Sequence, residues 1–176
     1  DVYKRQVLLT ADAASRLGAV SVPKHEYEPA SLRAAGLLHS LGLLWLVDRL
    51  PHELDRAFTM VKNNQSATLQ QAVADVLGFD LMLAGGHLGD SWSLPDPLVA
   101  AMVHYPQVDY RGPYREMVTT VGLSTRLVSA TLKNESCPGQ DARQAGLGIS
   151  DENLNSVFAQ LNGQLATIRD IAKLLI

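Results

Sequence analysis

A chain of 176 residues fits one domain of ordinary size, or a domain with a short appended element. Hydrophobic residues make up 47% and charged residues 19%, which excludes disorder of the weakly hydrophobic, highly charged kind. Fifteen basic against eighteen acidic residues leave a formal charge of −3, without the Lys/Arg excess that binding to a nucleic-acid backbone requires.

The single Cys137 excludes an internal disulfide and any multi-cysteine zinc or iron–sulfur site, and suits a reducing, cytoplasmic compartment. In the most apolar stretch, Ala34 to Val47, His39 and Ser40 interrupt a run that falls short of the roughly 20 apolar residues of a bilayer span. No membrane span is expected. Asp1 to Gln6 lacks the basic and then apolar order of a signal peptide and reads as a non-native or unstructured stub, ahead of which the true N-terminal part is missing.

Apolar positions recur at helical spacing along the chain, without a bounded period-2 run of β-branched residues, so the expected fold is all-α. Val7 to Leu17 reads as the remainder of a helix that stops at Gly18, and Pro23 and Pro29 punctuate the loop after it. A second helix is predicted from about Ala30 to Leu50; it is apolar on most sides and belongs at the centre of a bundle. Pro51 opens a third, reaching Lys62. Ser66 is the candidate N-cap for Ala67 to Leu77, with Gly78 as the left-handed terminator.

The next helix, Asp80 to Trp92, carries Gly85, Gly86 and Gly89, which suit close backbone approach by another helix. Leu98 to His104 and Tyr114 to Lys133 are further helices, and 134–149 is the best linker candidate. Ser150 can cap a last helix, with Asp151 and Glu152 in its first turn. Its apolar residues Leu154, Phe158, Leu161, Leu165 and Ile168 alternate by four and three, the seam of a heptad pattern. The seam either docks on the bundle or forms a partner interface, with a downstream domain or a second copy of the chain among the partners. Trp45 and Trp92 are expected to anchor the core.

Chemistry could reside at His39, His87 and His104, but no His-Asp doublet, paired histidines or His-x-x-x-His occurs. Ser40, Ser91 and Cys137 lie in no nucleophile motif. The Gly85-Gly86-His87-Leu88-Gly89 cluster lacks the strand before it and the Lys-Ser/Thr after it that a phosphate loop needs.

The segment Ala34-Ala35-Gly36-Leu37-Leu38-His39-Ser40-Leu41-Gly42 resembles the Gly-Leu-Leu-His-Asp-Ile-Gly signature of the HD superfamily of metal-dependent phosphohydrolases, with Ser40 in place of the metal-binding aspartate. Downstream, Leu77-Gly78-Phe79-Asp80, Gly85, Trp92-Ser93-Leu94-Pro95 and Ala100 to Pro106 resemble the HDOD family, the HD-related output domains of bacterial signalling proteins. In that pattern a histidine often follows Asp80 and here is Leu81; a His-His pair before proline is reduced to His104-Tyr105; the late helical aspartate falls at Thr125.

The resemblance implies an HDOD-like helical domain over 7–133, the linker 134–149 and a closing helix over 150–176. It also implies a vestigial pocket of His39, Ser40, Asp80, Leu81, His104, Tyr105 and Thr125, with His39 and His104 facing each other as weak metal candidates. Two neutral imidazoles without a carboxylate lack the charge and ligand count of a catalytic metal site. The expectation is therefore a non-catalytic regulatory domain without cofactor, acting through protein contacts in a bacterial cytoplasm. Two alternatives stay open: a divergent hydrolase of phosphorylated nucleotides that recruits a carboxylate such as Asp80, and a small-ligand sensor using the vacated pocket.

Overall fold

The computed structural model describes the backbone of Val2 to Leu174 and the side-chain surroundings of residues 5–167, and every regular element among the described residues is helical. The first helix, α1, spans Val2–Val20. Residues 2–6 therefore belong to a helix instead of an unstructured stub, since no proline or glycine interrupts the chain before Gly18.

The single helix predicted over 30–50 is two helices, α2 (Pro29–Leu38) and α3 (Leu41–Arg49). Ser40, at φ −105° and ψ 16°, leaves helical geometry between them. The break serves two separate close contacts. A Cβ on Gly36 would come within 2.6 Å of the Ala11 Cα, and one on Gly42 within 2.7 Å of the Gly85 Cα. The first glycine lets α2 lie backbone to backbone on α1, and the second does the same for α3 on the helix that carries Gly85. By length and composition, 29–49 could cross a membrane, more than the sequence pattern suggests. Its Leu32, Ala35, Leu43 and Leu46 are buried in protein core, while Leu37, Leu44, Trp45 and Val47 are exposed.

Helix α4 (Pro51–Lys62) begins at proline as expected. Helix α5 (Leu69–Leu77) is capped by Thr68, whose hydroxyl accepts from the Gln71 N–H, instead of by Ser66; Gly78 ends it at φ 75°. Asp80 caps α6 (Leu81–Ser91) by accepting from the Met82 N–H at 2.6 Å. Helix α7 covers Asp96–His104 and α8 covers Arg115–Lys133.

Helix α8 occupies the centre. Twelve of its nineteen residues are buried, against three of ten in α2 and three of nine in α3, so the central position predicted for the second helix belongs to α8. Its hydroxyls bond mostly within the helix: the buried Ser124 donates to the Thr120 carbonyl at 2.7 Å and the half-buried Thr125 to the Gly122 carbonyl at 2.8 Å. The tryptophans are also displaced from the core, with Trp45 42% and Trp92 56% exposed. Leucine, methionine and valine fill the interior at these faces instead.

The linker predicted over 134–149 contains a packed helix, α9 (Gly139–Ala145), whose Ala142 and Ala145 join Leu147 in the core. Helix α10 (Asp151–Leu174) follows, with Ser150 accepting from the Asn153 N–H at 3.2 Å. Leu154, Leu161 and Leu165 are buried against Leu9, Ala13 and Leu17 of α1 and Leu123 and Leu127 of α8, and Phe158 packs on the same cluster. These four residues face the chain's own bundle, the first of the two alternatives that the heptad pattern left open; the Ile168 side chain lies outside the described residues. A groove within the same chain receives the stripe without the entropy cost of association.

The glycine contacts set an expectation for stability. Gly42→Ala should destabilise the domain by about 1–3 kcal/mol through backbone overpacking. Gly163→Ala, where nothing lies within 4 Å of the added carbon, should stabilise α10 by about 0.5–1 kcal/mol. Urea unfolding of the two variants checks both signs.

Candidate functional site

The α2–α3 break presents His39 and Ser40 to a cavity of about 620 Å³. Leu43 of α3, Leu81 and Gly85 of α6, and Met102 and Tyr105 at the end of α7 line it. Thr125, Arg126 and Ser129 of α8 form the opposite polar wall, with Lys133 at its end. Five of the seven residues predicted for the vestigial pocket thus share one cavity: His39, Ser40, Leu81, Tyr105 and Thr125.

Asp80 and His104 line a neighbouring cavity of about 440 Å³. Thr68, Gln70, Met82 and Pro106 border both cavities. His104 stacks on Tyr110 at 4.9 Å between ring centroids, and its Nδ1 lies 3.1 Å from the Gln107 side-chain amide. The expected facing pair of His39 and His104 therefore does not form. His104 is the last residue of α7, and the adjoining Tyr105 turns to the His39 side instead.

His39 is held firmly. Its Nδ1–H donates to the Gly36 carbonyl at 2.6 Å, an acceptor-only partner that leaves Nε2 as the lone-pair nitrogen. The Tyr105 ring meets the imidazole edge-on at 5.0 Å. Burial pushes the His39 pKa down, opposed by the Gly36 carbonyl, so the ring is neutral at physiological pH. Burial likewise pushes the Tyr105 hydroxyl up to about 12 against the effect of its hydrogen bond with Gln70. It stays protonated and serves as a neutral polar group.

The Ser40 hydroxyl is buried and has no hydrogen-bond partner. It occupies the place where the HD signature carries an aspartate. A divalent cation needs several converging ligands and anionic compensation. Here it would find one neutral imidazole, hydroxyls and the guanidinium of Arg126. No cluster of three or more His, Cys, Asp or Glu capable of holding a metal occurs among the described residues. The donor set does not fit the HD metal. Asp80 is committed as the cap of α6.

The other candidates dissolve into structure. Gly86 and Gly89 pack against Val103, Val99 and Met102 of α7, as close packing predicts, and His87 is exposed. Ser91 donates to the His87 carbonyl at 2.8 Å. Burial, assisted by Asp151, pushes the Cys137 thiol up, away from the thiolate form of a nucleophile.

Sequence reasoning missed two features. Thr125, Ser129 and Lys133 recur every fourth residue, with Arg126 beside them, so helical spacing alone places them on one face of α8. His25 gave no such signal. It is buried from the loop before α2, accepts the Tyr27 N–H at Nδ1 (3.0 Å) and donates from Nε2 to the Thr120 hydroxyl at 2.8 Å. Burial lowers its pKa, with Glu116 opposing.

A multi-helix domain with an HD-like histidine at a helix break, stripped of its aspartate, is a degenerate relative of the HD fold. The HDOD domain model matches residues 3–108, and the chain belongs to the HDOD family. No curated protein matches it. Among solved structures, it resembles a protein from Marinobacter aquaeolei VT8 named provisionally for signal transduction, with a TM-score of 0.81 and 20% identity, covering 97% of this chain and 38% of that one. A provisionally named phosphohydrolase from Shewanella amazonensis SB2B matches with a TM-score of 0.74 and 20% identity, covering 93% of this chain and 60% of the other. The MmoQ response regulator of Methylococcus capsulatus Bath matches with a TM-score of 0.66 and 21% identity, covering 89% and 60%. The chain thus spans 60% or less of these structures' lengths, and at such identities the likeness establishes the fold.

The lowered pKa of His39 makes stability pH-dependent with a defined sign. The unfolded chain binds the proton near the ordinary value of 6.5 and the folded chain only at lower pH, so the contribution is complete above that value and is lost as pH falls below it. Urea unfolding between pH 7.5 and 5 should show this loss. His39→Phe should flatten the slope, and an unchanged slope would mean that the ring is not buried neutral.

Proposed function

We propose that this chain is a non-catalytic signalling domain that acts through contacts with protein partners in the bacterial cytoplasm. One observation carries this reading: among the described residues no carboxylate lines the cavity beside His39, and the aspartate position of the HD doublet holds a serine hydroxyl without a hydrogen bond among them. Water activation by a bound metal needs the ligands that are missing here. The names of the Marinobacter and Methylococcus structures support a signalling context.

The outer face of α3 supports contact with another protein. Leu44 is 40% exposed, beside the similarly exposed Trp45 and Val47; clustered apolar side chains on a protein surface mark interaction sites.

The name of the Shewanella structure favours a hydrolase as the second reading. It would require Asp80 to leave its cap and His104 to leave Tyr110, since neither lines the His39 cavity.

Two measurements test the proposal. Incubated with Mn²⁺ or Mg²⁺ and a chromogenic phosphodiester, the purified protein should give no turnover above the metal blank; turnover abolished by His39→Ala would establish the hydrolase instead. In cells, replacing Trp45 and Val47, which are exposed and do not line the His39 cavity, with serine should reduce signalling output at unchanged protein level, while Cys137→Ser leaves it intact. Full output from the double variant would exclude α3 as the contact surface.

A further inference from the structure

The His39 cavity is chemically one-sided. Its aliphatic part comes from residues such as Leu43, Leu69, Leu81 and Met102, and its polar part includes Arg126, Ser129 and Lys133 on α8. Among the described residues two basic side chains face it and no acidic one, so its potential favours an anion. The Arg126 Nε is buried without a hydrogen bond. Its acidic neighbour, Asp141 of α9, stands 3.2 Å away, close enough for Coulomb attraction but not aligned to accept from Nε.

We propose that this cavity binds a small amphipathic carboxylate, with its head group on Arg126, Ser129 and Lys133 and its aliphatic body against Leu43, Leu69, Leu81 and Met102, and that the carboxylate displaces Asp141 from Arg126.

The charge count selects the head group. Arg126 and Lys133 with the neighbouring Asp141 leave a net single positive charge, which matches a single carboxylate that a guanidinium can take in a two-pronged geometry; a phosphate dianion or a polyphosphate would bring more negative charge than this group can balance. The predominance of aliphatic over aromatic lining selects an alkyl body over a stacked base. The volume, about 620 Å³, lies within the usual range of small-molecule sites.

Displacement of Asp141 has a structural consequence. Asp141 lies on α9, whose Ala142 and Ala145 pack in the same core as Leu154 and Leu161 of α10. The Arg126–Asp141 pair therefore ties the cavity wall to the C-terminal helices, and a bound carboxylate competes directly with that tie.

The inference rests on the non-catalytic reading of the cavity, so binding is measured in EDTA, where turnover plays no part and each reading can fail alone. Octanoate is titrated into the protein by calorimetry and by ¹H–¹⁵N NMR, with octylamine, octanol and AMP as comparisons. Octanoate should bind saturably, shift the amides of Ser40, Thr125 and Ser129, and bind at least about tenfold tighter than the other three, as a charge-assisted hydrogen bond implies. Arg126→Met should weaken octanoate by roughly tenfold or more, Lys133→Gln by less, and Asp141→Asn should tighten it severalfold. The variants of the exposed Lys133 and the half-buried Asp141 keep the test intact if Arg126→Met fails to fold. Equal binding of octanoate and octylamine, preference for AMP, shifts confined to other residues, or indifference to both Lys133→Gln and Asp141→Asn would overturn the proposal.

Discussion

Two backbone contacts govern the site. Gly36 against Ala11 and Gly42 against Gly85 leave no room for a β-carbon, so α2 and α3 each settle on a different helix. The five residues between the glycines must redirect the chain, and they do so at His39 and Ser40. The break is therefore a packing solution: two short helices seat on α1 and α6, and their junction becomes the edge of a cavity. An imidazole placed there is buried and pinned to the Gly36 carbonyl, which fixes its tautomer without any metal.

The electrostatics of that junction follow from which side chains the fold assembles around it. A doublet aspartate beside His39 would give the cavity a negative charge to hold a cation. With Ser40 there, Leu81 at the start of α6 and Thr125 on α8, the basic side chains of α8 set the sign instead. The same fold can thus turn from cation-binding to anion-favouring through a few positions, because each position contributes its charge to a small space of low dielectric.

The C-terminal helices complete the domain from inside. Helix α10 lays Leu154, Leu161 and Leu165 into the groove between α1 and α8, and α9 fills the corner with Ala142 and Ala145. Helices α8, α9 and α10 therefore share one core, and the Arg126–Asp141 pair joins the cavity wall on α8 to α9. On the outer face of α3 the core leaves Trp45 and Val47 exposed.

The sequence by itself determined the all-helical class, most helix ends, the family and the loss of the metal-binding aspartate. These are properties of single positions and short periods: Pro51, Gly78 and Ser150 act on their own neighbours, and Ser40 cannot supply a carboxylate wherever it lies. Only the tertiary structure decided that 30–50 breaks in two, that Trp45 and Trp92 face outward, that Leu154, Phe158, Leu161 and Leu165 of the heptad stripe pack on their own chain, and that His39 and His104 open onto different cavities. Each of these depends on which helix lies opposite, and helical spacing defines a face without naming what packs against it.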